Sequence, residues 1–216
     1  VAAPNVQANF RLQLFNERHL REVDGIWNID SCIGNSLVKE VNPTSLKGVS
    51  KEKVISQIRT IINHSYVFMG YVELANYIRK RTTVTSDGIT TEERRKMEVR
   101  NIKRTFNNRL IIVDEAHNIR LTNDNAEGKT GQLLMKVAKY SNNMRLVLLT
   151  ATPMYNAHTE IVWLVNLMNV NDKRGLIKND EVFDSDGNFR EEVKSSDGQT
   201  VIQENGRDLL TRKMTG

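Results

Sequence analysis

The stretch Arg109-Leu-Ile-Ile-Val-Asp-Glu-Ala-His117 constrains the fold more than any other. Leu110 to Val113 is too short an apolar run for a helix, and its branched residues suit a strand buried on both faces of a parallel sheet. Ligands of open α/β sheets gather at the carboxyl ends of such strands, and this one runs straight into Asp114 and Glu115. A hard, octahedral ion such as Mg²⁺ takes one or two carboxylates plus water and substrate phosphates, which suits Asp114. Glu115 beside it can orient or deprotonate an attacking water. Asp-Glu alone would suit a strand ending in a solvated acidic turn, but the full Asp-Glu-Ala-His after an apolar strand favours a site.

Arg145-Leu-Val-Leu-Leu-Thr-Ala-Thr-Pro153 repeats the design: an apolar strand delivers Thr150, Ala151 and Thr152, and a proline ends regular pairing. Both strands are expected to bring these groups to one edge of one sheet. Together the two stretches resemble the Walker B motif and the third motif of superfamily 2 helicases and translocases. The resemblance implies that Asp114 holds Mg²⁺ through water and that Glu115 is the catalytic base. It also implies that His117, with Thr150, Ala151 and Thr152, couples nucleotide state to nucleic-acid binding.

The rest of the chain can be placed around these strands. Val1-Ala-Ala-Pro4 reads as the end of a strand, and Asn5 as the N-cap of a helix carrying Val6, Phe10 and Leu14. This segment resembles motif Ia, which implies that Pro4, Asn5, Gln7 and Asn9 meet a nucleic-acid backbone; a helix amino terminus with free N–H groups suits a phosphate. Trp27 to Pro43 reads as a loop and a short helix, and Ser50 as the cap of an amphipathic core helix. Tyr66 to Met69 looks strand-like before Gly70, and Tyr71 to Arg81 returns to helix with Val72, Ala75 and Ile78 inward. That arrangement takes the place of motif Ib, where Tyr66, Gly70 and Tyr71 could touch nucleic acid by stacking or close approach. Thr90 and Glu93 have capping-box spacing and open a charged helix to Phe106.

Gly128-Lys129-Thr130 imitates a P-loop, but Asn123 stands where the first glycine belongs and the preceding strand already ends in carboxylates. Gly128 to Gly131 is therefore read as a loop entering a helix. Thr159 is expected to cap a buried helix, His19 and His158 to be surface histidines, and Asp186-Gly187 and Asp197-Gly198 to turn small hairpins. A last helix is expected over residues 205–213.

Composition narrows the partners. The formal charge is +5 with a pI near 9.3, which favours a polyanion. Between Arg79 and Arg104 nine Lys or Arg face four acids, so one stretch, beginning Arg79-Lys80-Arg81, accounts for the whole excess. Residues 180–206 carry eight acids against two bases. The single Cys32 fits a reducing compartment, and no apolar run approaches the ~20 residues that span a bilayer. An intracellular chain without a membrane partner is expected.

Across nearly its whole length the chain resembles the DEAH-type superfamily 2 helicases and ATPases of nucleocytoplasmic large DNA viruses. The blocks that carry this are residues 5–15, 69–78, 114–120, 149–156 and 206–213. Relatives of that kind include the poxvirus-type early transcription factor small subunit and nucleoside triphosphate phosphohydrolase I. The resemblance implies an α/β fold, an incomplete RecA-like (P-loop NTPase) parallel sheet sandwiched by helices. Residues 1–170 would be the first RecA-like, ATP-binding domain without its P-loop. Residues 171–216 would be an acidic hairpin extension towards a second RecA-like domain. ATP and Mg²⁺ are the implied cofactors. Nucleic acid is the implied partner, DNA ahead of RNA, alongside viral RNA polymerase or transcription-factor subunits. The implied location is a viral factory in host cytoplasm, or the virion.

The P-loop is expected upstream of Val1 and the arginine finger, worth about 10³ to 10⁵ in turnover, downstream of Gly216. These 216 residues alone are then expected to be inactive. Two other classes fit the same residues: a nucleic-acid-binding module that has lost its P-loop, and the ATPase part of a restriction or chromatin-remodelling translocase.

Overall fold

The computed structural model of the chain describes residues 1–31, 33–85, 88–119, 126–154, 156–191, 193–196 and 201–215. Two compact units result, residues 2–70 and residues 71–216 with Val1.

In the first unit, Pro4 starts helix α1 (Pro4–Leu14) at its first position, where its fixed φ is already helical. Ala3 is the N-cap and makes no side-chain cap bond, and Asn5 stands two residues too late to cap. Leu14 is buried, whereas Phe10 is 39% exposed, so α1 has a narrower inner face than fourfold spacing suggested. Strands β1 (Leu20–Val23) and β2 (Ile26–Ile29) form an antiparallel hairpin. It turns on Asp24 and Gly25, both at positive φ, the geometry that Asp-Gly supplies in two-residue hairpins. The start of the expected loop at Trp27 is therefore strand. Trp27 Nε1 donates to Val49 O at 2.6 Å.

Helix α2 (Gly34–Val41) stops two residues before Pro43. Helix α3 (Lys51–Ser65) is capped by Ser50, whose Oγ accepts from Lys53 N. Leu14, Phe15, Leu20, Ile29, Leu37, Val38, Val54, Ile58 and Ile62 make the core. Tyr66 to Met69 is not a ladder strand; its one backbone bond to the start of the chain runs from Ala2 N to Met69 O, and a strand needs a row of them.

The second unit holds the parallel pair. Strands β3 (Leu110–Val113) and β4 (Arg145–Leu148) run side by side in the register Leu110↔Arg145 to Val113↔Leu148. Helix α6 (Ala126–Tyr140) lies between them in sequence, as a parallel connection requires. Val1 lies along the other side of β3, donating to Ile112 O and accepting from Asp114 N, but residues 1–3 form no strand. Helices α4 (Tyr71–Thr82), α5 (Thr91–Phe106) and α7 (Glu160–Asn171) pack with α6.

The burial of the pair differs from expectation. Val113 is fully buried, yet Leu110 is 60% and Ile112 38% exposed, and Val147 on β4 and Leu149 just after it are exposed too. Alternate residues of a strand face opposite ways; helices cover one face of this pair, and its other face carries an apolar row without a covering layer among the described residues.

Several smaller expectations also change. Val72 is exposed and Leu74 takes its place inward. Gly128 to Gly131 is part of α6, not a loop. A Cβ on Gly131 would lie 2.2 Å from Ile119 O and 2.8 Å from Trp163 Cζ2, so this glycine serves close packing. Thr159 precedes α7 but makes no cap bond; Glu160 accepts there from Asn156 N. The capping box of Thr90 and Glu93 is complete, and its hydrogen bonds hold the Glu93 carboxyl below its usual pKa. His158 stacks edge-on against Phe183 and is a packing residue as well as a surface one.

The carboxyl-terminal part follows its turn signals. Helix α8 (Asn179–Val182) leads to a turn in which Asp184 Oδ1 accepts from Asp186 N and Asn188 N, joining Phe183 to Phe189 by an antiparallel bridge. Strands β5 (Val193–Ser196) and β6 (Val201–Glu204) form a hairpin whose Asp197-Gly198 lies outside the described residues. Asn205 caps α9 (Gly206–Thr215) by accepting from Asp208 N. Val162, Val165, Ile177, Val182, Phe183, Leu209 and Leu210 close a core under these elements. No helix among the described residues is long and apolar enough to cross a membrane.

Lys173, at positive φ, closes the end of α6: its Nζ donates to Ala138 O, Lys139 O and Ser141 O at 2.7, 3.0 and 2.9 Å. One ammonium has three donors, and a cation here also meets the negative end of the helix dipole. Burial and then the nearby Lys103 lower its pKa. Lys173→Met should therefore destabilise the chain by about 1 kcal/mol, read as a lower urea midpoint at unchanged slope.

Candidate active site

The register of β3 on β4 builds the site. Beyond the paired strands the ladder continues: Leu149 N donates to Val113 O at 2.9 Å and Ala116 N to Leu149 O at 2.8 Å. This sets the residues after Val113 beside those after Leu149. His117 lies in a short 3-10 turn (Ala116–Ile119). Its Nδ1 is 3.1 Å from Thr150 Oγ1, 3.2 Å from Thr152 Oγ1 and 3.3 Å from Glu115 Oε2. Thr150 Oγ1 also accepts from Thr152 N at 3.1 Å, which folds the Thr-Ala-Thr segment back on itself. Two stretches more than thirty residues apart thus meet on one ring nitrogen.

The carboxylates are presented differently. Asp114 is half-buried, while the Glu115 side chain is 50% exposed and so open to a water or a ligand. Glu115 has φ +45°, a left-handed conformation that costs a residue with a Cβ about 1–3 kcal/mol and persists where its surroundings impose it. Those surroundings are explicit. Asp114 N donates to Val1 O, Ala116 N to Leu149 O and Asn118 N to Glu115 O. Tyr71 Oη donates to Asp114 O at 2.9 Å, and buried Thr130 donates to Tyr71 O at 3.2 Å. Two adjacent carboxylates on an open strand end fit a cation that takes few protein ligands and fills its octahedron with water and phosphate. No group of three potential metal ligands occurs among the described residues.

The remaining sequence-derived positions lie elsewhere. Pro4, Asn5 and Asn9 are exposed on α1 of the first unit, and Gln7 Nε2 donates to Ala2 O. Gly70 ends that unit. At the end of α4, Arg79 donates to Asn76, Arg81 lies over the Tyr77 ring, and Lys80 is exposed. On α5, Arg94 donates to Val84 O and Glu98 pairs with Lys136. Arg95, hydrogen-bonded to the Tyr140 phenol, holds that phenol below its usual pKa. Part of the basic stretch is thus engaged within the unit. The bond from the Tyr71 phenol to Asp114 O was not foreseen, because a tyrosine opening a helix carries no sequence signal for a contact forty residues away.

The model of the SNF2-related domain matches residues 35–214. The chain belongs to that family, within helicase superfamily 2. The chain is 26% identical over 201 residues to the protein named "Putative ATP-dependent RNA helicase L377" of Acanthamoeba polyphaga mimivirus, covering 87% of this chain and 16% of that protein. It is 38% identical over 73 residues to "Putative helicase 087L" of Invertebrate iridescent virus 3, covering 34% of this chain and 7% of that one. No solved structure matches. The mixed α/β architecture with its parallel pair agrees with part of a RecA-like helicase domain.

The strain at Glu115 has a measurable consequence. Glu115→Gly removes the Cβ penalty and adds unfolded-state freedom, so stability should hold or rise by up to about 1 kcal/mol. Thermal unfolding reads this directly; a clear fall would mean that the side chain itself supports the turn.

Proposed function

We propose that this SNF2-related domain is part of an ATP-driven motor that moves along nucleic acid, with DNA as the favoured track and viral transcription as its setting. The convergence of Glu115, Thr150 and Thr152 on His117 Nδ1 carries the reading. The activity belongs to a longer protein, since the chain spans a small fraction of the relatives it matches. On this reading residues 1–170 serve as the ATP-binding domain, residues 171–216 lead towards a second one, and the 216 residues alone do not turn over ATP.

Each side chain then has a task. Glu115 orients the attacking water and takes its proton. Asp114 is the residue that would hold Mg²⁺, an ion that supplies charge neutralisation at the phosphates. Glu115 and the Thr150 and Thr152 hydroxyls compete for one atom, His117 Nδ1, so a displaced carboxylate is felt by the Thr-Ala-Thr segment. Motions of this kind commonly gate turnover in motors. Pro4, Asn5, Gln7 and Asn9, with Gly70, Tyr71 and the cations Arg79, Lys80 and Arg81, are the proposed nucleic-acid contacts. The names of the viral relatives support nucleic acid as the substrate class, and the motif blocks support kinship with the poxvirus-type ATPases.

The test is ATP hydrolysis by the full-length protein that carries this chain, with and without double- and single-stranded DNA and RNA. Turnover should be stimulated by one polymer and fall at least about 100-fold in Glu115→Gln, the scale of losing a general base. Turnover indifferent to Glu115 would sink the assignment. Replacing Arg79, Lys80 and Arg81 by alanine should weaken binding to duplex DNA and flatten the salt dependence by about 0.9 per lost phosphate contact. An unchanged slope would remove these three cations from the track.

A further inference from the structure

The peptide plane between Asp114 and Glu115 is the point on which the acidic turn hinges. Glu115 sits at φ +45°, and that angle is rotation about the bond joining this plane to its own Cα. The orientation of the Asp114 carbonyl therefore sets the strained angle. A side-chain donor holds that oxygen: Tyr71 Oη, at 2.9 Å. Tyr71 is in turn tied to α6 through its own carbonyl, which accepts from Thr130 Oγ1, a residue with no exposed surface.

From this we infer that Tyr71 is a positioning residue for the acidic turn, a role beyond the nucleic-acid contact expected of it. It rests on the motor reading only where turnover is concerned. Releasing the Asp114 oxygen allows the plane to flip by about half a turn, which carries φ of Glu115 from the left-handed region into the broad extended region where a Cβ is unstrained. The flip turns the Asp114 oxygen and the Glu115 N–H to opposite sides and so loosens the backbone beneath the Glu115 carboxylate, which lies 3.3 Å from His117 Nδ1. The phenol thus stabilises the conformation that backbone preference disfavours, and a phenyl ring of the same shape cannot.

Tyr71→Phe isolates the hydroxyl. Amide hydrogen exchange of the full-length protein should speed up about tenfold over residues 115–119, the scale of one net hydrogen bond, while the strands of the first unit keep their protection. In a Glu115→Gly background, where positive φ carries no penalty, the same substitution should speed exchange much less. That coupling is a readout that a merely structural tyrosine would not give. In the ATPase assay Tyr71→Phe should lower kcat about tenfold, again the scale of one hydrogen bond, with KM for ATP within about twofold, and Tyr71→Trp should not restore it.

Unchanged exchange over residues 115–119, or an equal effect in both backgrounds, would overturn the inference. So would a loss confined to nucleic-acid affinity with normal kcat at saturation, which would return Tyr71 to a contact role. If instead Glu115→Gln left turnover intact, the motor reading would fail, and the exchange measurements would still decide the role of Tyr71.

Discussion

The parallel pairing of β3 with β4 is the interaction on which the rest of this domain depends. Its register sets Val113 against Leu148, and the two further backbone bonds through Leu149 carry the alignment past the strand ends. A slip of one residue would turn every side chain to the opposite face. The slip would bury Ile112 and expose Val113, and it would separate His117 from Thr150 and Thr152. One apolar register thus fixes both the core of the second unit and the meeting of its polar residues. The fully buried Val113, Ala116 and Ile119 anchor the acidic turn from below, leaving Glu115 to project outward at the rim.

Much of this was legible in the sequence because it rests on local rules. The two strands, the Ser50 cap, the capping box of Thr90 and Glu93 and the turn at Asp186-Gly187 are each written in a few adjacent residues, and each is found. What was not legible depends on neighbours. Whether Leu110 and Ile112 are covered is decided by which elements lie over the sheet, and periodicity cannot report that. Gly128 to Gly131 read as a loop entering a helix because two glycines so close together usually break one; the real constraint on Gly131, the closeness of Ile119 O and Trp163, lies in tertiary packing. Tyr66 to Met69 has strand composition but makes no ladder of backbone bonds with a neighbouring strand. The Tyr71 phenol and the Lys173 ammonium both find carbonyls far along the chain, and no spacing rule points to either.

The charge distribution reads differently in sequence and in space. The excess between Arg79 and Arg104 looked like one basic surface, but the chain folds it onto two helices, α4 and α5. Arg94 and Arg95 are engaged by Val84 O and Tyr140, and Lys96 pairs with Glu92 at 3.6 Å across one helical turn. Exposed pairs of this last kind contribute little to stability and leave the cation available to a stronger polyanion. The cations at the end of α4 also meet the negative end of that helix's dipole, so their placement has a local reason beside any role in binding. Net charge alone therefore cannot separate a track surface from a well-capped helix, whereas the slope of binding against salt can.

The proton inventory at His117 decides how the site can transmit a change. Nδ1 lies within 3.1–3.3 Å of Thr150 Oγ1, Thr152 Oγ1 and Glu115 Oε2, yet a ring nitrogen either donates one bond or accepts one. As a donor it is drawn to the carboxylate, the strongest acceptor of the three; as an acceptor it takes a threonine hydroxyl and leaves Glu115 without that partner. The two arrangements exclude each other at a single atom. Anything that moves the Glu115 carboxylate, such as a ligand beside it, must therefore redistribute the hydroxyl bonds of the Thr-Ala-Thr segment. Coupling between the two strand ends follows from the valence of one nitrogen, provided that the strained turn at Glu115 is held in place long enough for the choice to matter.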